Sequence, residues 1–338
     1  MMTIDGSKGW GQVLRTSIAL SALTLKPVRV VRIRESRPKP GLMPQHIAGI
    51  RTIAEFCDAE VKGLRYGSKE IEFIPRRRKF FDRVVDIGTS GSVSLLLQTL
   101  TPFLIFTDRE VKIEIIGGTA GMGSPTIEYT KYVTFSLLEK MGVKVDIVIK
   151  RQGFYPRGGG KVEVIFHPTS ELKGVKITER GRIEKLRGIS ICGSLPLSVA
   201  ERQATAAKET LKDYGDVEID VVSTKTLSKG TSITLWVETE KTILGSDGIG
   251  KKGVRAETIG RRAAEELVKT LNSGAALDKF MADQILVFMA LAKGSSSVSV
   301  EKITKHCVTN IEVCEKILGC NFKIEKNLIE VEGVSFTP

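Results

Sequence analysis

An α+β fold built on repetition is predicted by three observations. A block of fixed element order is used three times, a segment of different order lies between its second and third uses, and 41% hydrophobic residues in 338 supply enough apolar surface for a substantial core. In the first block WGQVLRTSIALSALT (10–24) carries a helical rhythm, VRVVRIR reads as a strand, and a long loop leads to a second helix at PQHIAGIRTIAEFCDA (44–59). Two strand-like runs, EVKGLRYG and KEIEFIP, close it. From residue 91 the order recurs: helix GSVSLLLQTLTPFLIF, strand VKIEIIGG, a Gly-rich loop, helix TIEYTKYVTFSLLEKMG, then strands VKVDIVIKR and GKVEVIFHP. From residue 280 it recurs again: FMADQILVFMALA, SVSVEKI, HCVTNIEVCEKILG, CNFKIEKN and LIEVEGV.

Between the second and third copies ISICGSLP leads to a helix at AERQATAAKETLKDYG, strands VEIDVVS and SITLWVET, a Gly/Lys loop and a helix at RAETIGRRAAEELVKTL. This predicts a smaller α+β domain inserted over residues 181–275, with the large domain formed by residues 1–180 and 276–338. If the copies superpose, the loops before each second helix, PGLMPQH, GGTAGMGSPTIEY and TKHCVTN, take corresponding places. A helix start presents free N–H groups and partial positive charge, which suits an anion.

The 51 Lys and Arg against 39 Asp and Glu give a net charge of +12, which favours an anionic partner without naming it. The densest basic run, Arg76 to Lys79, reads as a solvated loop. Aromatics are 6% of the chain and do not interleave with basic residues, so no stacking platform for single strands is visible. The five cysteines and the absence of an apolar leader point to reduced thiols and a cytoplasmic protein, and SVSLLLQTLTPFLIF is too short to span a bilayer.

Among candidate sites, GSDGIGKKG (245–253) nearly matches a phosphate-binding P-loop, with Lys252 where Ser or Thr should hold magnesium, and a flexible basic loop is the preferred reading. RGGGKV reads as a hairpin turn, whereas GGTAGMGSP exceeds what a tight turn needs and precedes a helix, as a nucleotide loop would. Cys307, Cys314 and Cys320 with His306 lack the CxxC spacing of zinc sites, and Cys314 falls on the apolar stripe with Ile311, Ile317 and Leu318. His167, after a strand, has no chemical neighbours in sequence and reads as structural. RESRPKPGLMPQH is equally compatible with a phosphate clamp and with a solvent-facing loop.

DGSKGWGQVLRT, IRESRPKPGLMPQH, GTSGSVSLLLQT, GFYPRGGGKV, FMADQ and HCVTNIEV, in this order from residue 5 to 313, resemble the RNA 3′-terminal phosphate cyclase family across essentially the whole chain. The resemblance implies three units of two helices on a four-stranded sheet plus an inserted smaller domain. It implies an ATP-dependent conversion of RNA 3′-phosphate ends to 2′,3′-cyclic phosphates, through a histidine–AMP and then an RNA-adenylate intermediate, releasing pyrophosphate and AMP. On it His306 is the nucleophile, Phe280 and Pro125 flank the adenine with Tyr129 nearby, and Gln98 and the run Lys279, Phe280, Met281, Ala282 and Asp283 meet the nucleotide. Arg15, Arg34, Arg37, Gln45 and His46 bind phosphate and the RNA end. ATP and a divalent ion, Mg²⁺ or Mn²⁺, are the implied cofactors, and RNA with a 3′-terminal phosphate is the implied partner. No membrane is involved, and a homo-oligomer is admitted without being required.

Arginines around a helix start disfavour a protonated ring, which keeps an imidazole nucleophilic. The chain departs from the family in its first loop: GSKGWGQ is two residues shorter and lacks the glutamate that helps to hold the metal, Lys8 and Trp10 standing nearby instead. That leaves the metal ligands unassigned, with Asp283 or Asp5 as substitutes. The alternative function is a noncatalytic, cyclase-like scaffold of ribosome assembly, which lacks the histidine, and an enolpyruvyl transferase built on related repeats would not explain HCVTN.

Overall fold

The computed structural model describes residues 1–338. The first unit runs β1 (Met2–Asp5), α1 (Trp10–Thr24), β2 (Val28–Val31), α2 (Pro44–Cys57), β3 (Glu60–Lys62), β4 (Ile71–Ile74), with sheet order β1-β2-β4-β3. The second runs β5 (Arg83–Asp86), α3 (Val93–Leu104), β6 (Val111–Gly117), a helix α4 over residues 127–139, β7 (Val145–Arg151), β8 (Gly160–Phe166), in the equivalent order β5-β6-β8-β7. The third opens at β9 (Lys176–Ile177) and is then interrupted by β10 (Ile183–Gly193), α5 (Leu197–Leu211), β11 (Val217–Thr224), β12 (Gly230–Thr239), β13 (Ile243–Ile249) and α6 (Ala256–Ser273). It resumes with α7 (Lys279–Leu291), β14 (Ser295–Ser299), α8 (Lys305–Leu318), β15 (Phe322–Glu325) and β16 (Leu328–Glu332), in the order β15-β16-β14-β9. In every unit the first strand pairs parallel with the second and the remaining pairings are antiparallel. The fold is α+β, as the repeated element order predicts.

The strands alternate because one face of each sheet lies on helices. In β6, Val111, Ile113 and Ile115 are buried, while Lys112 and Glu114 face outward into a lattice of ion pairs with Lys150, Lys161 and Glu163. The helices meet one another: α1 packs on α2, α3 and α8, and α7 on α3 and α8. Every residue of α1 from Gly11 to Leu23 is buried, as expected of a helix surrounded by others rather than lying on a surface. One core cluster of 70 residues runs through the three units, and the insert has its own of 14.

Some expected features differ. The first strand of each unit carries no sequence signal of its own, because β1, β5 and β9 are short edge strands. VRVVRIR stops being a strand at Val31, since Arg32 and Arg34 adopt φ of 54° and 55°. The Gly/Lys loop is half strand: residues 245–249 pair with β12 as β13, and only the following turn is loop. The middle of α4, Thr130–Phe135, is wound as a π-helix, a form that clusters at functional sites. His167 does have neighbours, its Nε2 lying 2.7 Å from Asp146 and its Nδ1 3.4 Å from Glu110 on the surface. The basic run is tied down by pairs such as Arg76 with Glu60 and Arg77 with Asp58. All five cysteines are buried and free, and no helix is long and apolar enough to cross a membrane.

Helices α5 and α6 of the insert touch at Gly260, where a Cβ would lie 2.0 Å from the Gln203 carbonyl oxygen. Gly260→Ala should therefore force the helices apart and destabilise by about 1–3 kcal/mol, read as a lowered denaturation midpoint.

Candidate active site

A cleft of about 550 Å³ lies where the three units meet the insert. That is within the range of small-molecule sites. His306 reaches it from the second position of α8, whose N-cap Thr304 accepts the Cys307 N–H at 3.0 Å. The register of α8 is held by Asn310, which accepts from Thr16 of α1 at 2.6 Å and donates to the Asp283 carbonyl of α7 at 2.8 Å. Nδ1 of His306 is buried without a partner, leaving Nε2 as the nitrogen with access to the cleft.

Burial favours the neutral ring at His306. Its pKa is lowered first by burial and then by Arg15 and Arg37, with Asp283 opposing. The arginines expected to lower the pKa are present, but desolvation is the larger cause. Asp283 is raised for the same reason, burial, although its Oδ1 accepts from Thr304 at 2.5 Å and from the Cys307 thiol at 3.0 Å. Burial thus moves both partners toward their uncharged forms.

The arginine side of the cleft is packed tightly. Arg15 is buried, donates to Gln12 at 2.5 Å and is brought down to about 10 by desolvation. Gly11 leaves room for it, since a Cβ there would stand 2.7 Å from His46 Nε2 and 2.9 Å from Arg15 Nη1. His46 is buried, its Nδ1 accepts the Met43 N–H at 3.1 Å, and burial with Arg15 and Arg34 beside it takes its pKa to about 3. The ring is a neutral Nε2–H donor at ordinary pH. Arg37 stacks 3.5 Å over Trp10, whose ring meets His306 edge-on at 5.1 Å. Trp10 holds this place at φ 50°, an uncommon conformation for a bulky residue.

Half-exposed Phe280 stands at the start of α7, edge-on to buried Tyr129 at 6.3 Å, and Pro125 lines the same cleft. Gln98 also lines the cleft, its buried Oε1 without a partner. Lys279 pairs with Glu266 and sits 5.2 Å over the Phe280 ring. Met281 and Ala282 are fully buried in the core and line none of the cleft. Gln45 is also outside it, bonded instead to the Ser92 N–H at the start of α3, and Lys279, Arg34, Arg37 and His46 stand next to lining residues without lining the cleft themselves. Arg34 donates to the Gly41 carbonyl at 2.8 Å beside the Arg15–His46 pair.

The sequence reading missed the wall supplied by the insert: Asp247 and Ile249 of β13, and Ile259, Arg262 and Glu266 of α6. The near-P-loop turn carrying Lys251 and Lys252 is exposed and does not line it. The side chains present do not fit a protein-held divalent ion. No three His, Cys, Asp or Glu are arranged to hold an ion, Asp5 pairs with Arg32, and each carboxylate of the cleft is engaged, Asp247 by the Thr126 N–H, Glu266 by Lys279 and Asp283 by Thr304.

The sequence profile of the family described as "RNA 3'-terminal phosphate cyclase" matches residues 6–324. A protein of Ignicoccus hospitalis with that name is 46% identical over 327 residues, covering 94% of this chain and 93% of that one. One of Thermococcus kodakarensis is 47% identical over 98% of this chain and 94% of its own, and one of Pyrococcus abyssi 44% identical over 96% and 95%. The solved enolpyruvyl transferase NikO of Streptomyces tendae aligns with 98% of this chain and 48% of its own at 11% identity and a TM-score of 0.43, too low to add to these matches.

With three histidines in the chain, each titration can be followed by NMR of labelled imidazoles. His306 should protonate below 6.5 and His46 only near pH 3. Arg37→Gln removes a positive neighbour and should raise the His306 midpoint, whereas Asp283→Asn removes the negative one and should lower it. A midpoint that ignores both changes contradicts this account of the site's charge.

Proposed function

The chain belongs to the RNA 3′-terminal phosphate cyclase family, and from that membership and the cleft we propose that it converts RNA 3′-phosphate ends to 2′,3′-cyclic phosphates with ATP. The observation that carries the reading is His306 at a helix start, its charged form disfavoured by burial, in a cleft that Arg15, Phe280, Tyr129 and Pro125 also line. Adenine lies between Phe280 and Pro125, with Tyr129 behind, and the phosphates point toward the start of α8 and Arg15.

Nε2 of His306 attacks the α-phosphorus. A P–N bond forms, the bond to the β-phosphate oxygen breaks and pyrophosphate leaves. The RNA 3′-phosphate, held by Arg34 and Arg37 with the His46 Nε2–H as a further donor, then attacks the same phosphorus. The P–N bond breaks, the imidazole is restored and the RNA carries the AMP. The adjacent 2′-hydroxyl attacks the activated 3′-phosphorus, losing its proton to solvent, and AMP departs as the ring closes, a step assisted mainly by proximity. A divalent ion, Mg²⁺ or Mn²⁺, would enter on the nucleotide phosphates, as such ions commonly do. Each cleft is built from one chain, so the reading needs no second copy. Five free, buried cysteines suit a cytoplasmic setting.

His306→Ala should reduce both AMP attachment and cyclisation to background while leaving the unfolding midpoint within about 0.5 kcal/mol of wild type, since the ring faces the cleft and not the Ile311–Cys314–Ile317 core. The variant should still close the ring on pre-adenylated RNA slowly. Wild type incubated with α-labelled ATP should carry AMP on the peptide containing His306. Labelling on a lysine would refute the histidine route, and no labelling with either metal would favour a noncatalytic, scaffold role.

A further inference from the structure

A second depression, of about 710 Å³, lies on the first unit along the loop that joins β3 to β4. Only one of its nine lining residues is hydrophobic, and that is Tyr66, 63% exposed. Three cations line it, and they are not equivalent. Lys62 is neutralised by Glu60 and Glu72, and Glu70 and Glu72 are themselves engaged by Arg29. Arg65 and Lys69, both exposed, have no carboxylate within ion-pair distance. The groove therefore presents one bare aromatic ring flanked in sequence by two uncompensated positive charges.

The groove is also continuous with the arginine loop of the cleft. Ile33 N–H donates to the Lys69 carbonyl at 2.9 Å, Leu42 N–H to Ser68 at 2.9 Å and Gly67 N–H to Leu42 at 2.9 Å, so the two loops are laced along their backbones. Arg34 follows Ile33 directly, so it leaves from the stretch of chain that is bonded to Lys69. On the proposed reaction, an RNA whose end is held at Arg34 would have Arg65, Tyr66 and Lys69 on the adjoining loop.

We propose that this groove binds the RNA strand preceding its 3′ end, with Tyr66 stacking on a base and Arg65 and Lys69 meeting backbone phosphates. The inference rests on the reaction proposed above for its register, and it adds that the substrate is recognised over several nucleotides rather than at its terminal phosphate alone. An aromatic face accepts any base, and point charges on a single strand carry no sequence information, so recognition here is insensitive to sequence and sensitive to salt.

The test compares a 3′-phosphorylated dinucleotide with a 3′-phosphorylated RNA of about ten nucleotides on wild type, Tyr66→Ala, Tyr66→Phe and the double variant Arg65→Ala/Lys69→Ala. Self-adenylation, KM and kcat are measured, and binding of the longer RNA is followed separately by fluorescence anisotropy. Tyr66→Ala should weaken binding of the longer RNA and raise its KM on the order of tenfold, with kcat, self-adenylation and the dinucleotide unaffected, and Tyr66→Phe should restore it. The double variant should lower the slope of log affinity against log salt by about 1.4, from about 0.7 per lost phosphate contact. Equal binding of the longer RNA by wild type, Tyr66→Ala and the double variant would overturn the groove. Failure of wild type to adenylate or cyclise would instead defeat the reaction, and anisotropy would still decide the groove.

Discussion

The carboxylate of Asp278 is the point on which the cleft depends. It is fully buried and accepts four hydrogen bonds: from the Tyr129 hydroxyl at 2.7 Å, from Gly245 N–H at 3.0 Å, and from Phe280 and Met281 N–H at 2.9 and 3.0 Å. One group thereby fixes a helix of the second unit, an edge strand of the insert and the first turn of α7. Burial raises its pKa, and the four donors act against that, which is the balance expected of a carboxylate kept in the interior by complete hydrogen bonding. Without it the aromatic pair, the insert wall and the helix bearing Asp283 would have no common anchor, and the two sides of the cleft would be free to move relative to one another.

The same logic of burial governs the chemistry. Desolvation takes the protons from His46 and His306 and acts against the charge on Arg15, while the arginines reinforce the effect on the rings. A cluster of Arg15, Arg34 and Arg37 is unfavourable in itself, as the mutual lowering among them records. An anion would relieve that tension, so the burial and the arginines that disfavour a charged His306 would also favour a negatively charged ligand. Trp10 belongs to the same arrangement, holding the Arg37 guanidinium against its face and the His306 ring at its edge.

What the sequence reveals of this follows the strength of local signals. Long helices and central strands are legible because their apolar spacing is dictated by burial on one or all sides, as in α1 and β6. The edge strands β1, β5 and β9 are not, since two to four residues with one buried side chain each leave no period to read. β13 was hidden by its glycines: ILGSDGI has the composition of a loop, yet a Cβ at Gly245 would run into Val133 and Tyr129, and Ile259 packs closely over Gly248. The insert wall of the cleft and the Asp278 hub depend on residues far apart in the chain, which composition and spacing do not connect. Tyr66 is invisible for another reason, because sparse aromatics suggest no stacking surface until the fold leaves one beside two unpaired cations.

Repetition gives one fold three second-helix starts, one from each unit. The start of the second helix in each unit occupies an equivalent place, and there the chain puts His46 in the first unit, Pro125 and Tyr129 in the second and His306 in the third. Each start offers the same unsatisfied N–H groups and partial positive charge, so an anion is favoured at all three before any side chain is chosen. The side chains then divide the work. On the proposed reaction the first start, with Arg34 and Arg37 in the loop before it, would take the terminal phosphate; the second, preceded by a glycine loop and followed by a π-wound turn, the base; and the third would supply the imidazole. The insertion falls between β9 and α7 of the third unit, a break that leaves every second-helix start intact while bringing a new wall to the cleft.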